Sequence, residues 1–244
     1  MSLSAPIGLA LFLLAIPFLL QPRNSPVSDE FRGVLAWMWQ LNAIYCVLMH
    51  RLKTGQAPLP THGPAILIAN HTCNIDHFLL QVGTHRKLGF MIAKEYYDFP
   101  LFHPICRMIG CIPVNRNGKD LAAIRSALRA LEQGRVVPMF PEGKILAKSG
   151  DEIGPGKHGV AFLAIRAKVP VIPAYIRGTP RSNQLRRSFF TRSHSEVFYG
   201  PAIDPSKFVH LDPPGDERAL LNATTDRFMA AIQSLHDQHH LPTA

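Results

Sequence analysis

Short, unbroken apolar runs recur along this 244-residue chain, and stretches with helical spacing separate them. Pro64 to Ala69 reads Pro-Ala-Ile-Leu-Ile-Ala, with turn-forming residues on both sides. A run of this length is the pattern of a strand buried on both faces. Leu88 to Ala93, Cys111 to Val114, Arg135 to Phe140, Val169 to Ile176 and Glu196 to Tyr199 repeat it. Between them, Leu121, Ile124, Leu128 and Leu131 recur at helical spacing until Gly134 stops the pattern. Val160 to Lys168 fits a short helix, and Asp216 to Gln238 a C-terminal amphipathic one. Strands alternating with helices predict an α/β layered domain. Lys53 to Gly63, rich in Gly, Pro and Thr, is the best linker candidate.

The composition is 47% hydrophobic and 18% charged, too apolar for a disordered chain. The formal net charge of +9 calls for an anionic partner, such as a membrane surface or a phosphorylated ligand. No basic stripe with interleaved aromatics and no zinc-finger or RNP-like motif is present, so nucleic acid is not the expected partner. Cys46, Cys73, Cys106 and Cys111 form no C-x-x-C pair and no disulfide framework, which points to a reducing, cytosolic setting.

The N-terminus leans toward membranes. Residues 7–20 are almost wholly apolar, yet shorter than the ~20 residues a full span needs. No Lys or Arg precedes the run and no small-x-small site follows Leu20, which disfavours a signal peptide. Phe31 to Met49 is a second apolar segment, with Trp37, Trp39 and Tyr45. Arg23 and Arg32 between the segments, and Arg51 and Lys53 after them, disfavour two full crossings. The expectation is a membrane-docking helical pair over residues 1–52, dipping into one leaflet, with residues 53–244 as the cytosolic domain. The plainer alternative is an amphipathic helix pair that covers the core.

His71 and Asp76 carry the candidate chemistry, in Asn70-His71-Thr72-Cys73-Asn74-Ile75-Asp76. On one continuous helix they would point about 140° apart, since each residue turns ~100°. They can meet only if His71 lies in a turn after the Ala65–Ala69 strand and Asp76 opens the next helix. Asn70, Thr72 and Asn74 are cap and turn formers and favour that break. A carboxylate bonded to one imidazole nitrogen leaves the other free to accept a proton, the arrangement of a general base. A lone His-x4-Asp is as easily a capping Asp beside a structural histidine.

Four blocks in order give the pair its context: Asn70-His71-x4-Asp76, Gly110-Cys-Ile-Pro-Val-Asn-Arg116, Phe140-Pro141-Glu142-Gly143 and Val169-Pro-Val-Ile-Pro173. Together they resemble the glycerolipid acyltransferases, in particular the 1-acyl-sn-glycerol-3-phosphate (lysophosphatidic acid) acyltransferases. Ala93-Lys94-Glu95 resembles a further segment of that family. The resemblance implies a mixed central sheet flanked by helices. It implies transfer of a fatty acyl group from acyl-CoA or acyl carrier protein to a lysophospholipid hydroxyl, giving phosphatidic acid. His71 would be the base and Asp76 its orienter, with neither an acyl-enzyme nor a metal or other cofactor. Arg116, and secondarily Lys94, would hold the acceptor phosphate, and Glu142 and Gly143 would shape the acceptor side. An anionic membrane surface, at the cytoplasmic face of the inner or plasma membrane, is the implied location.

Two departures open alternatives. Where the family usually continues Thr-Arg-Ser, this chain has Lys144-Ile145-Leu146. Lys144, Lys148 or Lys157 could replace the charge of that arginine but not its paired donors. Another lysolipid or an amino-lipid hydroxyl is the alternative acceptor. Cys73 stands where Ser is common, which raises a Cys73-dependent thioesterase as a rival. A non-catalytic lipid-binding protein on the same fold is the third reading. Gly154 to Gly159 could offer N–H groups to an anion, His236, His239 and His240 read as solvated, and Arg181, Arg186, Arg187 and Arg192 form a basic stretch facing headgroups, coenzyme A or solvent.

Overall fold

The structure is a computed structural model that describes residues 30–115, 120–146, 149, 152–182, 184–207 and 216–239. In chain order its elements are α1 (Val34–His50), β1 (Lys53–Thr54), β2 (Ala65–Ala69), α2 (Asp76–Val82), β3 (Met91–Ala93), α3 (Lys94–Tyr97), α4 (His103–Ile109), β4 (Ile112–Val114), α5 (Leu121–Glu132), β5 (Val136–Met139), α6 (Gly159–Ala167), β6 (Val171–Arg177), α7 (Leu185–Phe190), β7 (Glu196–Tyr199) and α8 (Glu217–His239).

The main sheet is five-stranded and mixed, in the order β1-β7-β6-β2-β5. β2 has parallel neighbours on both sides, β5 and β6. β7 runs antiparallel to β6, and β1 lies parallel to β7. β3 and β4 form a separate parallel pair, and Leu88 bridges to Val136 of β5.

All five residues of β2 are buried because helices cover both sheet faces. Ala65, Leu67 and Ala69 face a core with Ile75, Leu79 and Leu80 around α2. Ile66 and Ile68 face the opposite core, with Ala127 and Leu131 of α5, Leu163 of α6 and Phe228 and Ile232 of α8. Each fully buried Ile, Leu or Phe contributes about 1.5–3 kcal/mol, so this double-sided apolar burial is what fixes β2 at the centre. The residues after Ala69 therefore emerge at the carboxyl end of a central strand, where α/β sheets place their sites.

Helix α1 docks on this domain. Trp39 Nε1 donates to the Gln81 carbonyl (3.2 Å) and Asn42 Nδ2 to that of Phe78 (3.0 Å), both on α2. Tyr45 OH donates to the Phe189 carbonyl of α7 (2.8 Å). Buried His50 meets Ser193 Oγ through Nδ1 (2.8 Å) and Tyr45 OH through Nε2 (2.9 Å), and burial pushes its pKa down. Among the described residues no helix is long and apolar enough to cross a membrane. The apolar run expected to pair with α1, residues 7–20, lies outside the described residues.

The expected linker is not one. Lys53–Thr54 forms the edge strand, Ala57 and Leu59 are buried, and the Ala57 N–H donates to the Gly83 carbonyl (2.8 Å). A two-residue strand is too short to show a period. The Leu88–Ala93 run is also divided: Leu88 meets β5, while Met91–Ala93 pairs with β4. Helices α3, α4 and α7, of four to seven residues, are too short to carry a helical pattern in the sequence. Of the C-terminal histidines, His236 and His239 are packed rather than solvated. The His239 ring stacks on Phe198 (3.7 Å, 7°) and His236 meets Tyr175 edge-on (5.2 Å), while His240 lies outside the described residues.

Candidate active site

The site begins where β2 ends. The Asn70 side chain donates from Nδ2 to the Ile176 carbonyl (2.9 Å) and accepts from the Ile176 N–H through Oδ1 (2.7 Å). This two-way bond clamps the strand end to β6 and satisfies two buried backbone groups. The chain then turns through His71 to Ile75, and Asp76 is the first residue of α2. The break between the two residues is the one their spacing required.

Asp76 is fully buried and surrounded by donors. Its Oδ2 accepts from His71 Nδ1 (2.8 Å), the Thr72 N–H (2.6 Å) and the Cys73 N–H (3.0 Å). Its Oδ1 accepts from Thr72 Oγ1 (2.6 Å) and Cys73 Sγ (3.4 Å), and Thr179 Oγ1 donates onward to Thr72 Oγ1 (2.8 Å). Burial alone would raise the Asp76 pKa. The hydrogen bond and charge of His71, with the Thr72 and Cys73 donors, outweigh it and hold the carboxyl below its ordinary value. An ionised Asp76 that accepts from Nδ1 favours the tautomer with the proton there and leaves Nε2 as the nitrogen that can accept one.

Aromatic contacts set the plane of the imidazole. Phe140 lies parallel to the His71 ring (4.1 Å, 10°). His77 meets His71, Phe140 and Phe90 edge-on at 5.9, 5.1 and 4.7 Å. Burial first, and the neighbouring His71 second, push the His77 pKa down to about 4. The unfolded chain therefore binds more protons than the folded one between pH 6.5 and about 4, and stability falls as pH drops through that window. His77→Phe is expected to remove about 2 kcal/mol of the stability lost between about pH 7 and pH 5. Denaturant unfolding of both proteins at the two pH values checks this; equal losses would contradict it. His50 and His85 shift in the same direction, so the comparison with wild type carries the result.

Glu142 braces the loop from below. It is almost fully buried; Oε1 accepts from the His71 N–H (3.0 Å) and Oε2 from the Gly154 N–H (3.2 Å). Burial raises its pKa, and the two N–H donors offset part of that rise. Gly143 follows at φ +71°, a left-handed turn closed by its N–H on the Phe140 carbonyl (2.9 Å). Only glycine adopts that φ without strain, and a Cβ there would meet the Lys157 side chain at 2.7 Å. Gly154 is equally confined: a Cβ would lie 2.8 Å from Glu142 Oε2. The Gly154 N–H is thus spent on Glu142 and the Lys157 N–H on the Pro141 carbonyl (2.9 Å), so neither is offered to an anion.

Lys94 is exposed and paired with Asp98 (2.5 Å), and Lys144 is exposed just after the Gly143 turn. Arg116 lies outside the described residues; Asn115, before it, donates its N–H to Asp120, the cap of α5 (2.6 Å). The thiol reading of Cys73 fails on geometry. Cys73 is fully buried, its Sγ points at the Asp76 carboxylate rather than the imidazole, and burial and that charge push the thiol pKa well up. Asn70, Thr72, Phe140, His77 and Thr179 position the pair without having been singled out for it. Thr179 lies 107 residues from Thr72 and leaves no local signal.

A largely buried imidazole held by a fully buried carboxylate at the end of a parallel strand is an arrangement that can support histidine base chemistry on an α/β fold. The acyltransferase family model matches residues 50–177, just over half of the chain, and the chain belongs to that family. It is 24% identical over 181 residues to a 1-acyl-sn-glycerol-3-phosphate acyltransferase of Bacillus subtilis, covering 74% of this chain and 85% of that one. A protein of the same description from Limnanthes alba is 32% identical over 123 residues, 47% of this chain and 41% of its own. The fold matches the crystal structure of the 1-acyl-sn-glycerophosphate acyltransferase PlsC from Thermotoga maritima, with a TM-score of 0.62 at 18% identity, over 93% of this chain and 88% of that one.

Proposed function

We propose that this enzyme moves a fatty acyl group from acyl-CoA or acyl carrier protein to the hydroxyl of a lysophospholipid, with 1-acyl-sn-glycerol-3-phosphate as acceptor and phosphatidic acid as product. The observation that carries the reading is the 2.8 Å bond from His71 Nδ1 to buried Asp76, which leaves Nε2 free to accept a proton. The acceptor hydroxyl gives its proton to Nε2 as its oxygen attacks the thioester carbonyl. The tetrahedral oxyanion collapses, the C–S bond breaks, and the imidazolium returns the proton to the departing thiolate. No cofactor is called for. Family membership and the descriptions of the relatives support the acyl chemistry and the phosphorylated acceptor.

Glu142 acts through the His71 backbone and Gly143 through its turn, so both position the base. Arg116, Lys144 and Lys94 supply cationic charge for the acceptor phosphate; Lys94 must leave its exposed Asp98 partner, a change of about 1 kcal/mol or less. Ile145, in place of the family's arginine, favours a second reading in which the acceptor lacks a phosphomonoester. The enzyme works at a membrane surface on its cytoplasmic side, where such acceptors reside, with residues 1–52 as the docking unit.

The test is incubation of purified enzyme with labelled acyl thioesters and a panel of lysolipids, with products identified by mass. Fastest acylation of 1-acyl-sn-glycerol-3-phosphate is expected. Preference for an acceptor without phosphomonoester moves the assignment to the second reading, and no transfer to any hydroxyl overturns both.

A further inference from the structure

Two elements that touch each other bear no carboxylate. Residues 31–75 and 153–195 contain no Asp or Glu, although the whole chain has 17 of them. The first stretch holds α1 and the second holds α7. The fold joins them: the Tyr45 ring stacks on Phe189 (4.3 Å, 16°), Tyr45 OH donates to the Phe189 carbonyl, and the Ser193 N–H donates to the Met49 carbonyl (3.2 Å). Arg51 reaches across to His194 Nε2 (2.7 Å). Neither α1 nor α7 therefore brings a carboxylate to their junction, while Arg51, which caps α1, and Arg186 and Arg187 of α7 bring cations.

That surface is apolar as well as cationic. Arg51, Arg186, Arg187 and Arg192 are all exposed. Among them Leu48 is 70% and Phe190 69% exposed, the highest values of the large apolar side chains described. Exposed apolar groups on elements that also expose cations mark a candidate interaction site. A soluble phosphate ligand would use the arginines but gain nothing from Leu48 and Phe190. An anionic bilayer uses both, the cations at its headgroups and the apolar groups in the interface. The surface also leads to the site. The Phe189 ring lies 6.1 Å from that of Phe78, and Phe78 is on α2, the helix that Asp76 opens.

We infer that the α1–α7 face is a lipid-docking surface, with Arg51, Arg186, Arg187 and Arg192 on anionic headgroups and Leu48 and Phe190 entering the interface. The inference rests on the lysolipid reading above and adds the face through which the enzyme would meet such an acceptor. α7 lies well outside the N-terminal unit and brings Arg186, Arg187 and Phe190 to this face.

The test uses the full chain carrying F190C, labelled with an environment-sensitive dye. Cys46, Cys73 and Cys106 are buried, and labelled wild type serves as the control for Cys111. Blue-shifted emission is expected on mixing with vesicles of phosphatidylcholine and phosphatidylglycerol, but not with phosphatidylcholine alone, and raised salt should reverse it. Combining R186Q, R187Q and R192Q should weaken the dye response on the order of 100-fold, since each cation near an anionic surface is worth on the order of fivefold in binding. An unshifted dye on a protein that still sediments with vesicles overturns this face and leaves the acyl-transfer reading standing. So does a shift produced by coenzyme A without vesicles. Failure of transfer in the lysolipid panel overturns that reading whatever the dye reports.

Discussion

His71→Ala is expected to lower acyl-transfer turnover by about 10²–10⁴-fold, the usual contribution of a general base. The KM values should move little, because the imidazole takes its proton in the transition state and adds little to ground-state binding. The fold should survive. Asp76 keeps its Thr72 and Cys73 donors when His71 is gone, and the His71 N–H to Glu142 is a backbone bond that alanine retains. A Tm within a few degrees of wild type, together with collapsed turnover, is the result that supports the base assignment. Undiminished turnover in the purified variant would remove His71 from the chemistry.

Asp76→Asn should damage both activity and stability. An amide has one acceptor oxygen where the carboxylate has two, and Asp76 accepts five hydrogen bonds. Its NH2 group would face donors on one side, whichever way it is turned. Leaving buried donors unpaired costs about 1–3 kcal/mol each, so a loss of about 3 kcal/mol is expected, or about 8 °C in Tm. The altered carboxamide also frees His71 to hold its proton on the wrong nitrogen, which should reduce turnover by about 10³–10⁴-fold. Thermal unfolding and steady-state kinetics on the one variant read both effects. Because the two residues act as a unit, His71→Ala with Asp76→Asn should be little slower than either alone. Additive losses would show that Asp76 serves something other than His71.

What the sequence revealed, and what it hid, follows from the range of the interactions. The buried strands were legible because a strand covered on both faces is apolar at every position, as Ala65–Ala69 is. The His71–Asp76 contact was legible because its spacing ruled out one helix and its turn formers allowed a break. Glu142 was recognisable as a site residue from its block, but not as the brace of the His71 backbone, since that bond joins residues 71 apart in the chain. Asn70 read as a turn former and is in fact a clamp on β6, because nothing local tells a side-chain amide which strand it will meet. Cys73 suggested a nucleophile by adjacency alone; only the fold shows its thiol turned toward a carboxylate. The apolar face of α1 had two readings. The structure shows one side of that helix bonded to α2 and α7 and leaves Leu48 outward.

In the proposed reaction His71 activates a lipid hydroxyl for direct attack on the acyl thioester. A single-turnover reaction with labelled acyl thioester and lysolipid, analysed by mass for both lipid and intact protein, tests it most directly. The label is expected to pass to the lysolipid at the rate of thioester loss, the protein never to gain the mass of an acyl group, and His71→Ala to slow the transfer by about 10²–10⁴-fold. A transient acyl adduct on the protein that forms and decays at the rate of turnover would contradict it.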